Sequence, residues 1–499
     1  IRRQRQMCIR DRADRGGELG ATRAGVSGET PSDVLWHYNL SARHLDKLCE
    51  RVDTFSVSGD GERLVVRHRD DVVVVPASHK VEEDDPAYIR VDLTRLRRTV
   101  DPRAEWRQMY DENGRIMATH YWREDMNGVD WDGVLKRYRP LVDLCHVVDD
   151  LHDILWETVA ELNTSHSYVS TPGAGGDSDM RAGLLGADVS SEAGGAKVVR
   201  VIPGESSDPH AWSPLRAAGV AIGDGDVIIA VDGRKIGVDG GPGELLEGSA
   251  GRVVELTVRR GEEERRVAVV PMADEAALRY HDWVASRRRY VEERSDGRLG
   301  YLHVPDMVSD GWAELHRQIG EATRHEGVIA DVRFNHGGHT SQLVVERLAR
   351  KVIGWDRSRW YATAVTYPQN AVRGPIVMVT NQWAGSDGDI VGAVTQAMGY
   401  AKVIGERSWG GVVGIDGRFD LVDGTGVTQP RYAGWYGDYG WGVENHGVDP
   451  DIVVTVSPED WESASDVQLD AAIAECLRQL DEKSAATPPE LPGPAFGRC

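Results

Sequence analysis

One serine in this sequence stands where a nucleophile could stand. The stretch TNQWAGSDGDI, residues 380–390, sets Ser386 between Gly385 and Asp387, ahead of Gly388 and Asp389. A serine hydroxyl attacks a carbonyl only with a base to take its proton and N–H donors to hold the oxyanion. Read locally, Ser386 has three readings: a helix N-cap, part of an acidic cation loop, or a nucleophile. Ser and Asp are among the commonest N-caps, so the first is strong. The calcium loop fails, because the D-x-D-x-D-G run and the distant Glu are missing. The strict GxSxG elbow is also absent, since Ala384 replaces its first glycine.

The partners must come from elsewhere. His166, in NTSHSYV, has hydroxyls on both sides and reads either as a base or as a helix C-terminal histidine favoured by the dipole. His336 and His339, in DVRFNHGGHTS, suggest a metal only weakly, because no carboxylate pattern completes a site. Gly337 and Gly338 between them follow the apolar run GVIADVRFN. Bare N–H groups at such a strand end can hold an oxyanion, and the alternative is a plain turn. Glu444, in WGVENHGVDPDIVV, reads on composition as a solvated or capping carboxylate.

The elements that must position these groups follow from periodicity. Residues 298–456 alternate strand and helix patterns (LGYLHVP, GWAELHRQIGEATRH, GVIADVRFN, TSQLVVERLARKVI, PIVMVTN, DGDIVGAVTQAMGY, AKVIGER), which predicts an α/β domain with mainly parallel pairing. Ser386 then falls on a strand-to-helix turn at the carboxyl end of a strand, where open α/β sheets form sites and a helix N-terminus favours negative charge. Residues 101–165 read as helices, with Asp101 as N-cap and Pro102 at the first helical position. Gly-rich 170–186 reads as a linker. The order strand, short helix, Gly-Asp turn, GDGDVIIAVDG, hairpin over 186–273 looks like a PDZ domain, a module that binds extended peptide tails at a sheet edge. RLVVRHR (63–69) and DVVVVPA (71–77) predict a tight hairpin, too small to bury its face alone. A final amphipathic helix, SDVQLDAAIAECLRQL, precedes a Pro-rich tail.

Composition bounds the function. The chain has 499 residues, 40% hydrophobic and 28% charged, as a globular protein of several domains. A net charge of −22 argues against nucleic acid or an anionic membrane as the main partner. No run of ~18 apolar residues predicts a membrane span, and no signal-peptide pattern is readable. Cys8, Cys49, Cys145, Cys476 and Cys499 are widely spaced without zinc spacing, so a reducing, cytoplasmic setting is the simplest expectation. IRRQRQMCIRDR, with five arginines against one aspartate, resembles translated adapter sequence and is set aside from fold reasoning. The natural protein is therefore expected to extend further toward the N-terminus.

Taken in order, TSHSY, the PDZ-like unit, DVRFNHGG, NQWAGSDGDI, WGGVVGI and GVENHGVDPDI resemble the C-terminal half of a tricorn protease, from about residue 50 to 480. The family is similar to the tail-specific C-terminal processing peptidases. The resemblance implies an α/β multidomain protein: an artefactual or disordered stretch (1–34), a remnant of the last β-propeller blade (35–90), a helical subdomain (91–170), an inserted PDZ β-domain (186–273), a crotonase-like α/β catalytic core (274–480) and a flexible tail (481–499). It implies Ser386 as nucleophile, His166 as general base, and Ser165 linking that imidazole to Glu444. It also implies oxyanion donors at Asp387 and at Gly337, with Gly338 close behind. Asp387 and Asp389 then read as backbone and helix-start positions, not as catalytic carboxylates. Asp356, in KVIGWDRSRW, is the candidate acid for a basic P1 residue, with Arg357 beside it counting against it.

The substrates implied are short peptides such as those a proteasome releases, and full-length members are homohexamers. No metal or organic cofactor is expected. Two alternatives stay in view. A Ser/Lys tail-specific peptidase would carry its lysine where GERSWGGV has Gly411, and a non-catalytic PDZ scaffold would not need Ser386, His166, Ser165 and Glu444.

Overall fold

The protein is described by a computed structural model covering residues 6–11, 33–40, 42–171, 180–192, 194–237, 240–463 and 465–491. Residues 172–179 of the Gly-rich stretch at 170–186 and most of the 1–34 segment lie outside these residues, as do the last eight residues of the tail. Within the part expected to be disordered, Gln6–Asp11 instead forms a strand antiparallel to Asp33–Asn39, from Gln6↔Asn39 to Asp11↔Val34. The physical reason is an open edge: Asp33–Asn39 pairs with His44–Val52 on its other side, and a second partner satisfies its remaining backbone groups. A four-stranded antiparallel sheet follows, made of Thr54–Val57, Arg63–His68, Asp71–Pro76 and Ile89–Val91. Leu64, Val66, Val73 and Val75 alternate inward and meet Leu35, Leu48 and Val52.

Three helices come next: α1 (Pro102–His120), α2 (Trp131–Val142) and α3 (Val148–Ala160). Asp101 caps α1 by accepting the N–H groups of Arg103 and Ala104. The helices bury Met109, Met117, Leu151 and Leu155 against one another. Two residues from the C-terminal half, Leu421 and Val427, complete that core. Val169–Ser170 also pairs with Gly426–Val427, and Trp122 N–H donates to the Pro430 carbonyl at 2.8 Å. The helical subdomain is thus docked on the C-terminal part by backbone pairing as well as apolar burial.

Between them sits an antiparallel sheet in the order Glu263–Val269, Val254–Arg260, Val227–Val231, Gly195–Val201, Ala187–Glu192, with Arg234–Lys235 paired to Val227–Val231. It has its own core of Val198, Leu215, Ile228, Leu256 and Val258. The short helix expected at SPLRAAG is one 3₁₀ turn, Pro214–Arg216, capped by Ser213.

The last part is a five-stranded parallel sheet with its strands in sequence order: β1 (Leu299–His303), β2 (Gly327–Asp331), β3 (Ile376–Thr380), β4 (Ala401–Gly405) and β5 (Ile452–Val453). Its first three strands are buried at every residue, which is why they read as largely apolar runs, while β4 is buried only over its last three residues, with Lys402 exposed. The crossover helices α5 (Ser309–Ala322), α6 (Ser341–Leu348) and α7 (Asp387–Met398) pack on one face, where Val328, Ala330, Met378 and Val403 point. On the other face α4 (Ala276–Arg294) and α8 (Val467–Glu482) cover Tyr301, Ile329, Val377 and Ile404.

Where β2 ends, an ion network fixes the chain that leads to the site. Arg333, 5% exposed, donates to Asp331 at 2.7 Å and to Asp466, the N-cap of α8, at 2.9 Å. Burial pushes the Asp331 carboxyl up, but the Arg333 guanidinium outweighs it and holds the group below the usual range. Replacing Arg333 by Met leaves Asp331 buried without its cation. We expect Arg333→Met to cost about 3–5 kcal/mol, read as a lower denaturation midpoint of the parallel-sheet domain.

Candidate active site

The turn after β3 carries Ser386. Asn381 stitches it to the neighbouring turn after β2: its side-chain oxygen accepts Phe334 N–H at 3.0 Å and Trp383 N–H at 3.2 Å. Gly385 N–H donates to the Asn335 carbonyl at 3.0 Å. Ser386 follows with φ 57° and ψ −121°, at the N-cap position of α7. A non-glycine residue held there costs on the order of 1–3 kcal/mol and persists only when its surroundings impose it. Its hydroxyl makes no capping hydrogen bond, so the local cap reading fails at the side chain although the position is the cap. The strained turn leaves Oγ free at the mouth of a cleft of about 1510 Å³.

His166 lines the same cleft from the helical subdomain. It follows the end of α3, has φ 61°, and is 8% exposed. The rings of Tyr168 and Trp409 meet its imidazole edge-on at 5.8 and 5.7 Å. Its Nδ1 lies 2.6 Å from the Val413 carbonyl. A carbonyl only accepts, so this contact sets Nδ1 as the N–H and leaves Nε2 as the basic nitrogen. The expected Ser165 bridge takes a different form. Ser165 donates both its N–H (2.7 Å) and its Oγ–H (3.0 Å) to Glu444, and the imidazole is held by Val413 instead. Glu444 also accepts the N–H groups of Val412 and Val413 at 2.8 and 3.0 Å. The glutamate therefore orients the His166 ring through the backbone that carries the Val413 carbonyl.

The two glycines after β2 separate in role. Gly337 N–H is already donated to Asn335 Oδ1 at 2.9 Å, which counts against the preference for it as an oxyanion donor. Gly338 N–H has no partner among the described residues, and Gly338 lines the cleft with Ser386 and Asp387. Both glycines are needed on steric grounds. A Cβ on Gly337 would lie 2.5 Å from the Ser386 Cβ, and one on Gly338, at φ 146°, 2.1 Å from the Met307 carbonyl oxygen. The Asp387 N–H opens α7, where helical N–H groups have no partner within the helix. The Asp387 carboxylate turns away and accepts Ser341 N–H at the start of α6, and burial raises it above the usual range.

His336 and His339 both line the cleft, while Asp356 does not. Asp356 lies on a short exposed strand paired with Val365–Tyr367, so within this chain it supplies no acid to the pocket. The charged side chains that do line the cleft include Glu346, Arg418 and Arg431. Gly411 has no room for the lysine of a Ser/Lys site, because a Cβ there would lie 2.2 Å from the Trp409 ring. Sequence reasoning missed the Val413 carbonyl and the Trp409 ring. Neither has a side-chain signature of catalysis, although WGGVVGI was already notable as a motif.

Three family models match the parts just described. Peptidase family S41 covers residues 298–454, the tricorn protease PDZ domain 183–274 and the tricorn protease C1 domain 102–160. The parallel-sheet domain that carries Ser386 is thus an S41 peptidase domain. Tricorn protease homolog 1 of Streptomyces coelicolor is 54% identical over 95% of this chain and 45% of its own length. The tricorn protease of Thermoplasma acidophilum is 35% identical over 92% of this chain and 43% of its own. A crystal structure of the tricorn protease superposes with a TM-score of 0.87 at 33% identity, over 96% of this chain and 46% of that one. The chain belongs to the tricorn protease family, and it spans less than half the length of these relatives.

Glu444→Gln keeps the shape but sets an NH2 group against one of the two donor sets. We expect it to slow labelling of Ser386 by a fluorophosphonate probe at least about tenfold, with the near-ultraviolet CD spectrum unchanged.

Proposed function

We propose that this chain carries the catalytic half of a tricorn-type serine endopeptidase that cleaves short peptides through an acyl-enzyme. The observation that carries this reading is the uncapped Ser386 hydroxyl at a strained helix start, sharing one cleft with a histidine whose other ring nitrogen is anchored. Ser386 Oγ attacks the peptide carbonyl as His166 Nε2 takes its proton. The imidazolium then gives that proton to the leaving amine, and a water repeats the sequence to release the acid. Nδ1–H stays on the Val413 carbonyl throughout. Ser165 and Glu444 complete the tetrad by fixing the segment that orients the ring and by adding negative charge near the imidazolium.

The oxyanion is held by the N–H groups of Asp387 and Gly338. The first also carries the partial positive charge of the α7 N-terminus. Closing the cleft around an extended peptide would strengthen both donors by excluding water. The cleft can accept a peptide several residues long, which supports short peptides, including proteasome products, as substrates.

The same reading covers the rest of the chain. The four-stranded antiparallel sheet over Thr54–Val91 has the size of one propeller blade, which supports a remnant of the last blade. Strands in sequence order with three crossover helices on one face support a crotonase-like core. Assembly as a homo-oligomer and residence in the cytoplasm belong to the proposal too. No helix among the described residues is long and apolar enough to cross a membrane.

Ser386→Ala should abolish cleavage of fluorogenic peptides while leaving peptide binding intact. His166→Ala should lower kcat by about 10³-fold or more. An alanine variant at 386 that cleaves as fast as the parent sinks the mechanism and favours a binding scaffold. Gly338→Ala, which must move the turn off the Met307 carbonyl, should cost about 10²–10³ in kcat with little change in KM.

A further inference from the structure

Asp389 lies at the start of α7, three residues after Ser386, and is completely buried. No step above uses its side chain. It accepts three hydrogen bonds from one loop, residues 408–411 of the same chain. Its Oδ1 takes the Ser408 hydroxyl at 2.5 Å and the Gly410 N–H at 2.8 Å. Its Oδ2 takes the Gly411 N–H at 3.3 Å. The same loop runs on directly into Val412 and Val413, whose N–H groups hold Glu444 and whose last carbonyl holds His166. Further bonds keep the loop against the nucleophile turn: Trp409 N–H donates to the Ala384 carbonyl at 3.0 Å, and Ser408 Oγ accepts Val448 N–H at 2.9 Å. The Trp409 ring lies over Gly385 and Gly411, where a Cβ would come within 2.7 and 2.2 Å of it.

We propose that Asp389 is a positioning residue for the reaction: from the helix that carries Ser386 it holds the 408–413 loop, and through that loop it sets where His166 stands relative to the serine. The inference rests on the peptidase reading of Ser386 and His166. The nucleophile and base come from parts of the chain about 220 residues apart with a whole β-domain between them, so their spacing must be fixed by a contact across the junction. Val413 makes that contact with His166, and Asp389 ties the loop leading into Val413 to the nucleophile's own helix. A neutral residue serves less well. An asparagine keeps one acceptor for Ser408 and Gly410 but turns an NH2 toward Gly411 N–H, and a buried donor facing a donor pushes the loop away.

Burial raises the Asp389 carboxyl to about 6 despite its three donors. Its partners carry no charge. The titratable groups nearest to it in the site are engaged elsewhere, Asp387 with Ser341 and Glu444 with Ser165, Val412 and Val413. Below that pH the protonated acid resembles the asparagine variant, so the wild type and Asp389→Asn should converge as pH falls.

The test compares the full chain with Asp389→Asn, Ser408→Ala and Ser386→Ala on one fluorogenic peptide across pH 5 to 8, with near-ultraviolet CD at each pH. At pH 8 Asp389→Asn is expected to lose about 10²-fold in kcat with KM within about twofold, and the ratio of wild type to variant should fall toward one by pH 5. Ser408→Ala keeps the carboxylate and both N–H bonds. It should lose less, and its titration should move to higher pH, because the Ser408 hydroxyl helps keep the carboxylate ionised. An unchanged kcat in Asp389→Asn, or a loss equal at every pH, overturns the inference. If Asp389→Asn does not fold, Ser408→Ala decides: lowered kcat at constant KM supports the inference, and unchanged kcat overturns it. Ser386→Ala separates the two levels. If it is inactive while the other variants match the wild type, only the role of Asp389 falls. If it is active, the peptidase reading falls and this inference with it.

Discussion

The site depends on one carboxylate that belongs to neither reacting group. Glu444 collects four donors, two from Ser165 in the helical subdomain and two from Val412 and Val413 in the catalytic domain. A buried or part-buried carboxylate is costly unless its oxygens are filled. Here they are filled only when the two subdomains are docked, so the electrostatic need of one side chain is also the latch that brings His166 and Ser386 to one cleft.

The surrounding structure answers to that requirement. Backbone pairing of Val169–Ser170 with Gly426–Val427, and the apolar burial of Leu421 and Val427 among α1–α3, supply the docking energy without reaching the reacting atoms. On the catalytic side the sheet carries two turns side by side, after β2 and after β3, as its parallel order requires. Arg333 and Asn381 tie those turns to each other and to α8. Asp387 and Gly338 therefore stand on turns of the sheet domain, whereas His166 arrives on the helical subdomain. That division explains why a serine in a strained conformation is tolerated: its neighbours on both sides are held by bonds that would exist without it.

The polar interior around the serine follows the same logic. Asp387 and Asp389 follow it closely in sequence, yet their carboxylates point away, one to the start of α6 and the other to the 408–411 loop. Each anchors a different wall of the cleft. The Trp409 ring fills the space that a lysine would take in a Ser/Lys arrangement, and it closes one side of His166.

Much was legible in the sequence. The alternation of apolar runs fixed the parallel sheet, because strands buried on both faces admit few polar residues, and the short turn after PIVMVTN put Ser386 at a strand's carboxyl end. Asp101 and Pro102 marked the start of α1 by local chemistry alone. Local rules also favoured Ser386 as a capping side chain, and only its backbone angles and free hydroxyl overturned that. Which glycine offers its N–H was decided by Asn335 taking the other. That the imidazole rests on the Val413 carbonyl, and that Asp356 stands away from the cleft, were decided by the docking of subdomains. Backbone carbonyls and N–H groups are the same at every residue, so no sequence pattern can say which of them meets a side chain some 250 positions away. Side-chain types and their order come from the sequence, and the pairing of each with its partner exists only once the chain is folded.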